Sequence, residues 1–259
     1  MSDIVLKTDR IRLAFGGVVA VNDFTMEIAK GEIRGIIGPN GAGKTTIFNV
    51  LSRIYTQDSG TVEFLGEDIS AKDQISVARM GMSRTFQNTR LFSGLSVLDN
   101  VKAALDFSAK YGLFEAMLLL PRRKKAEKET AAKALECLKI LHLDQYAQQR
   151  PSNLPYGIQR RVEIARALAN NPKVLLLDEP AAGLNPEEVF ELIDFIKEIK
   201  KHFEGIAILV IEHRMDLIMN LCDYIYVQNF GMTIASGTPE SVQNDPVVLS
   251  AYLGEEEQQ

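Results

Sequence analysis

Long apolar runs, cysteines and an excess of basic charge are all scarce in this chain, and each shortage narrows what it can be. No uninterrupted apolar stretch approaches the roughly 20 residues that a helix needs to cross a bilayer. Val174 to Leu177 and Ile206 to Ile211 have the lengths of buried strands instead. If the protein works at a membrane, another chain supplies the membrane part. The amino terminus, Met1-Ser2-Asp3-Ile4, shows no basic region followed by an apolar stretch, so no secretory leader is expected. Cys137 and Cys222 are the only cysteines. They lie far apart within periodic apolar stretches, which predicts buried free thiols in a reducing compartment, the cytoplasm. A net charge of −5 argues against a surface built to neutralise nucleic-acid phosphates. The Arg122 to Lys125 run does not reverse that, because such runs usually form a solvated face. Any anionic ligand must be held by local geometry. Internal repeats and low-complexity segments are also missing.

What is present is the composition of an ordinary globular protein: 259 residues, 46% hydrophobic and 24% charged, enough for one domain or one domain with a subdomain. Short β-rich runs at Val5 to Phe15, Val18 to Val21 and Phe24 to Ile28, punctuated by Gly16-Gly17 and Lys30-Gly31, predict an opening antiparallel β-meander. Ile33 to Ile37 then reads as a buried strand, followed by a glycine-rich loop and a helical stretch from Thr45 to Ser52. Val174 to Leu177, Ile206 to Ile211 and Tyr224 to Val227 read as further strands of one sheet, separated by helical segments, which makes the core α/β.

From Leu98 to Asn170 strand signals nearly vanish, and Ala134, Leu135, Leu138 and Leu141 stand at helical spacing. We read a helical subdomain, residues 88–170, inserted into an α/β core made of residues 1–87 and 171–259. Within it Leu113 to Leu120 is apolar enough to be subdomain core or a contact surface. The acidic end, Glu255 to Gln259, is expected to fray.

Gly38-Pro39-Asn40-Gly41-Ala42-Gly43-Lys44-Thr45 fits G-x-x-x-x-G-K-[ST] and lies after a strand and before a helix. There, glycines let backbone N–H groups and a helix amino terminus point at phosphates. Lys44 can reach the β- and γ-phosphates, the Thr45 hydroxyl can take one Mg²⁺ position, and Thr46 can add a phosphate donor. Val174 to Leu177 ends in Asp178-Glu179, where one acid can hold Mg²⁺ through water and the next can polarise an attacking water. Three single residues have two readings each. Gln87 can touch Mg²⁺ or water, or bond within its loop. His213, after a buried strand, can contact the γ-phosphate or be structural. Phe15 can stack on adenine or join the core.

This order resembles that of the ATP-binding cassette (ABC) family along essentially the whole chain. The resemblance implies an ATPase binding ATP and Mg²⁺ on a phosphate-loop core, with Phe15 as adenine-stacking aromatic, Gly38 to Thr46 as phosphate loop, Glu179 as general base, Asp178 and Gln87 as Mg²⁺-site groups, Ala181 to Asn185 as dimer loop and His213 as γ-phosphate sensor. The helix at Arg161-Val162-Glu163-Ile164-Ala165-Arg166-Ala167-Leu168 looks like the one that follows the family signature Leu-Ser-Gly-Gly-Gln. Here that signature, which addresses the partner's ATP, reads Leu154-Pro155-Tyr156-Gly157-Ile158. The family serine donates a hydrogen bond to the partner's γ-phosphate, and Pro155 has neither hydroxyl nor N–H with which to do so. Gly157 and the helix terminus remain, and Pro155 also suits a helix start.

Longer phrases, Ser83 to Gln87, Tyr156-Gly157 with Gln159 to Arg161, Ala181 to Pro186 and Ala251 to Glu255, look like the LivG-type ATPases of branched-chain amino-acid importers. The resemblance then implies a subunit on the cytoplasmic face of the membrane, working with a second, different cassette and with permease subunits, served indirectly by a periplasmic or extracellular solute-binding protein, and not with nucleic acid. The alternatives are the ATPase of a lipopolysaccharide exporter, which normally keeps Leu-Ser-Gly-Gly, and a soluble cassette protein, which typically has two cassettes or a coiled-coil insertion. A phosphate-loop kinase would need an acceptor-substrate lid, and none is evident.

Overall fold

The computed structural model describes residues 3–87, 90–106 and 121–256, with the side chains of 106, 121–126 and 253–256 also left aside. Leu113 to Leu120 and the side chains of Arg122 to Lys125 therefore lie outside the described residues. At the carboxyl end the described backbone is helical to Glu256, and the rest of the stretch expected to fray lies outside the described residues.

The alternating apolar pattern produces two sheets. The first is antiparallel and four-stranded, in the order β2-β1-β4-β5, from β1 (Ile4–Phe15), β2 (Val18–Ala29), β4 (Ser59–Phe64) and β5 (Glu67–Asp68). The expected break between Val21 and Phe24 is not a turn. Ile11 pairs with Phe24 and Leu13 with Val21, so β2 carries one extra residue there, with Asp23 at φ +57°, and the strand runs on through the bulge. The expected opening meander is corrected to two hairpins, because β4 and β5 come only after the phosphate loop and its helix. Their residues, Ser59 to Phe64, carry Gly and Glu among the apolar positions, which weakened the strand signal.

The second sheet has the order β10-β9-β3-β8-β7-β6. Here β3 (Ile33–Ile37), β6 (Met82–Arg84), β7 (Val174–Asp178), β8 (Ala207–Ile211) and β9 (Tyr224–Asn229) run parallel, and β10 (Met232–Gly237) returns antiparallel on β9. A parallel sheet is covered on both faces, so its strands read as continuous apolar runs. Val174, Leu176, Leu209, Ile211 and Ile36 face α1 (Lys44–Leu51) and the antiparallel sheet, sharing a core with Phe24, Phe48 and Phe64. Leu175, Leu177, Ile208 and Val210 face the helices on the other side.

Those helices include α5 (Tyr156–Leu168), α6 (Pro186–His202) and α7 (Met215–Leu221), which follow α2 (Gln74–Met80), α3 (Val97–Asp106) and α4 (Pro121–Ile140). Short helices α8 (Pro239–Gln243) and α9 (Pro246–Glu256) close the chain. Among the described residues from 90 to 168 there is no strand, in line with the helical reading of that stretch. Ala134, Leu138 and Leu141 are buried there, in the same cluster as Leu175 and Leu177, and Leu135 packs against it. Cys137 and Cys222 are buried free thiols, and burial pushes Cys137 up to about 12. Among the described residues no helix is long and apolar enough to cross a membrane.

Leu176, fully buried between the two layers, should lose about 2–5 kcal/mol of stability on substitution by alanine, as transfer and cavity terms add. Ile75, 48% exposed on α2, should change stability by no more than about 0.5 kcal/mol in the same substitution. Urea unfolding of both variants measures the contrast.

Candidate functional site

Four neighbouring parallel strands end on one edge of the second sheet, and the chemistry-bearing segments leave from their carboxyl ends, where open α/β sheets place ligand crevices. Gly38 follows β3, Gln87 lies beyond β6, Asp178-Glu179 ends β7, and Glu212-His213 follows β8.

The phosphate loop takes its shape from glycines that nothing else could replace. Gly38 has φ +148° and Gly43 φ +95°, and a Cβ would lie 2.0 Å from the Gln228 carbonyl oxygen in the first case and 2.2 Å from the Ala20 carbonyl oxygen in the second. Gly43 caps α1 without a side-chain bond, so the helix amino terminus stays open to an anion. Lys44 is buried and folds into the loop, its Nζ donating to the carbonyl oxygens of Gly38 at 2.6 Å and Pro39 at 2.8 Å. Asn40 and Gly41 at the loop tip and Thr45 on the helix are exposed, Ala42 is buried, and Thr46 is half-buried.

Asp178 is buried at the end of β7, and its Oδ2 accepts from Nη2 of Arg84 at 2.7 Å. The same guanidinium donates through Nη1 to Asn49 Oδ1 at 2.8 Å and Ser52 Oγ at 2.9 Å, tying the acid to α1. Glu179 turns the chain with φ +45°, a left-handed conformation costly for a residue with a Cβ, and its N–H donates to the Ile211 carbonyl at 2.9 Å. Its Oε2 accepts from Nε2 of Gln87 at 2.8 Å, so the loop amide and the strand-end acid meet directly. His213, half exposed, brings Nδ1 to 3.9 Å from Glu179 Oε2, a distance too long for a hydrogen bond.

Glu212, the residue before His213, is fully buried. Burial pushes its carboxyl above the usual range, and backbone N–H groups of Ala181, Arg214 and His213 oppose that shift. Its Oε1 accepts from Ala181 N at 2.7 Å and its Oε2 from His213 N at 3.1 Å, so one carboxylate joins the segment after Glu179 to the histidine. That segment ends in a capping box, with Asn185 Oδ1 accepting from Glu188 N at 2.9 Å and Glu188 Oε2 from Asn185 N at 2.9 Å.

The structure brings together the loop, Gln87, Asp178, Glu179 and His213. It does not join Phe15 to them by any described ring contact or hydrogen bond. Phe15 is 46% exposed at the end of β1, edge-on to Tyr55 at 5.3 Å, so the core reading of this residue is excluded. Leu154 to Ile158 also stand apart, at the amino end of α5. Pro155 is the cap residue, with ψ 149°, not the first helical residue as expected for a proline helix start, and no side chain caps the helix. Leu154 is buried, Tyr156 is 40% exposed, and Gly157 and Ile158 are half-buried. A Cβ on Gly183 would lie 3.2 Å from Tyr156 Cε1, and one on Gly157 would lie 3.2 Å from Glu188 Oε1, so the signature packs on the segment leading to α6.

Sequence reasoning missed Arg84, Arg160, Glu163 and Glu212 as parts of this site. A signal existed for one pair. Arg160 and Glu163 stand at i and i+3 on the apolar face of α5, where Val162, Ile164, Ala165 and Leu168 are also buried.

Comparison with known proteins bears on the family and the fold. The family model described as ABC transporter matches residues 21–182, and that of the branched-chain amino acid ATP-binding cassette transporter matches residues 232–258. The high-affinity branched-chain amino acid transport ATP-binding protein LivG of Escherichia coli strain K12 is 44% identical over 98% of this chain and 100% of its own length. A crystal structure of an ATP-binding cassette of an ABC transporter in its ADP conformation is 32% identical, with a TM-score of 0.84 over 97% of this chain and 99% of that one. A dimeric ATP-binding cassette bound to ADP and Pi is 25% identical, with a TM-score of 0.74 over 90% of this chain and 98% of that one. In motif order, fold and likeness along nearly its whole length, the chain belongs to the ABC transporter family, as an ATP-binding protein of the LivG type.

Proposed function

We propose that this chain hydrolyses ATP to drive a membrane importer of branched-chain amino acids, docked on permease subunits at the cytoplasmic face and paired with a second cassette. The observation that carries the reading is the meeting of Gln87, Glu179 and His213 beside the phosphate loop. The carboxyl-terminal match to branched-chain amino-acid cassettes favours this over the lipopolysaccharide exporter. Residues 1–87 and 171–259 serve as the nucleotide core, and 88–170 as the signature unit.

In this reading the loop amides, Lys44 and Thr46 bind the phosphates, and Phe15 stacks on adenine. Glu179 accepts the proton of the water that attacks the γ-phosphorus as the bond to ADP breaks, and His213 contacts the γ-phosphate. The donor set suits Mg²⁺, a hard cation that takes oxygen ligands. Gln87 donates through Nε2 to Glu179 and keeps Oε1 for a cation, Asp178 keeps the oxygen that Arg84 does not hold, and the Thr45 side chain is exposed. Thr45, Gln87 and, through water, Asp178 would hold the ion, which when bound would supply positive charge against the phosphates. The signature at Leu154 to Ile158 serves the nucleotide on the partner cassette, and the likeness to a dimeric cassette supports such face-to-face pairing.

Lys44→Ala should weaken ATP binding greatly, since it removes the side-chain cation from a loop that otherwise relies on backbone dipoles. A nucleotide titration decides this, and near-native affinity would sink the phosphate-loop assignment. Glu179→Gln should keep ATP while turnover falls by about 10²–10⁴-fold, because the amide fills the space but accepts no proton. Steady-state ATPase measurement on that variant tests it, with wild-type turnover excluding Glu179 as the base.

The altered signature makes the two sites of a mixed pair unequal. The natural partner is a different cassette with an intact signature, which completes the site built on Lys44 and Glu179, whereas the partner's own nucleotide lacks the serine donor. Loss of one such bond costs up to about 3 kcal/mol, roughly a hundredfold in rate. The isolated chain should therefore hydrolyse ATP slowly, and the base-to-amide change should cost more in this cassette than in its partner. Full activity from the chain alone, or equal loss from either cassette, would show that the sites are not divided in this way.

A further inference from the structure

Helix α5 carries the signature at its amino end, and in the next turn it carries Arg160, among the largest fully buried side chains of the protein. Its guanidinium spans two loops. Nη1 donates to the Phe86 carbonyl at 2.9 Å and to Glu163 Oε2 at 2.9 Å, while Nη2 donates to the Gln87 carbonyl and, at 3.4 Å, to the Glu179 carbonyl. Glu163 is as deeply buried as Arg160, so the charge is balanced within the same helix. The planar fork suits several acceptors at fixed angles, which a lysine ammonium does not.

Two of these carbonyls belong to residues whose side chains matter. Gln87 and Glu179 bond to each other through their side chains, and their main chains are held by one guanidinium. Glu179 also sits at φ +45°, a conformation that persists only where its surroundings impose it. Two of the groups that impose it are the Ile211 carbonyl, which accepts its N–H, and Arg160, which takes its carbonyl.

We infer that Arg160 is a positioning residue for hydrolysis: from the signature helix it sets the Gln87 and Glu179 main chains relative to each other. The helix that addresses the partner's nucleotide then also sets the geometry of this chain's own base. The inference rests on the reading of Glu179 as base.

Arg160→Lys keeps the charge and loses the fork. The double variant Arg160→Met with Glu163→Leu removes the clamp without leaving a buried charge unpaired, a replacement that buried ion pairs often tolerate. In the full chain, assembled with its co-purified permease and partner cassette, each should lower kcat for ATP by about 10–100-fold with KM within about twofold, since small misplacement of a catalytic group costs on that order. ATP affinity of the isolated chain should be unchanged. Hydrogen exchange should quicken at Phe86, Gln87 and Glu179 and not across the sheet. Adding Gln87→Ala to Arg160→Lys should cost less than the two separate losses combined, because both act on one contact.

Unchanged kcat in both variants overturns the inference, and so does exchange that quickens uniformly through the core, the mark of a merely structural pair. Failure of the underlying reading looks different: Glu179→Gln would then turn over like the wild type, whatever Arg160 does.

Discussion

Parallel register across the second sheet is the constraint on which the rest depends. Ile36 of β3 pairs with Ile211 of β8, and Asp178 of β7 pairs with the same Ile211, so three strands finish level with one another. β6 joins the same edge through Arg84 against Leu176. Because backbone hydrogen bonds fix that alignment, the loop after β3, the acids after β7 and the histidine after β8 reach one crevice without needing side chains to pull them together. The apolar layers on both faces make slippage expensive, since a shift of one residue would turn every buried side chain of a strand to the opposite layer.

Carboxyl groups gather at this edge, and each is held differently. Asp178 is paired with Arg84, Glu179 accepts from an amide, and Glu212 accepts backbone N–H groups in full burial. A buried charge left unpartnered would cost far more than these arrangements. Their partners also connect elements. Arg84 links β6 to α1, Glu212 links the segment after β7 to the histidine after β8, and Arg160 links α5 to the loops after β6 and β7. In a protein with a net charge of −5, the proposed phosphate cradle would draw its donors from backbone groups and one lysine, placed by local geometry.

Much of the fold was legible where a single physical requirement dominated. Strands buried on both faces, such as Leu175 to Leu177 and Ile208 to Ile211, must be apolar throughout, and the glycines of the phosphate loop must lack a Cβ, so both announce themselves. β4, β6 and β10 were not read, being short or mixed in composition and made strands by the neighbours they pair with. The opening meander was misdrawn for a related reason. A bulge at Asn22-Asp23 looks like a turn when only the local residues are weighed, whereas pairing with β1 carries the strand through it.

By itself the sequence determined the phosphate loop, the acids at a strand end, the order of motifs and the departure at Pro155, because each depends on residue type at fixed spacing along the chain. Only the tertiary structure decided which partners those residues have. That Gln87 meets Glu179, that Glu212 lies buried under the backbone, and that Arg160 reaches three carbonyls from another helix all depend on contacts between residues far apart in the chain. Such contacts leave no local pattern, since a guanidinium or a carboxylate reads alike whether it ends in water or in a core, and only packing settles which.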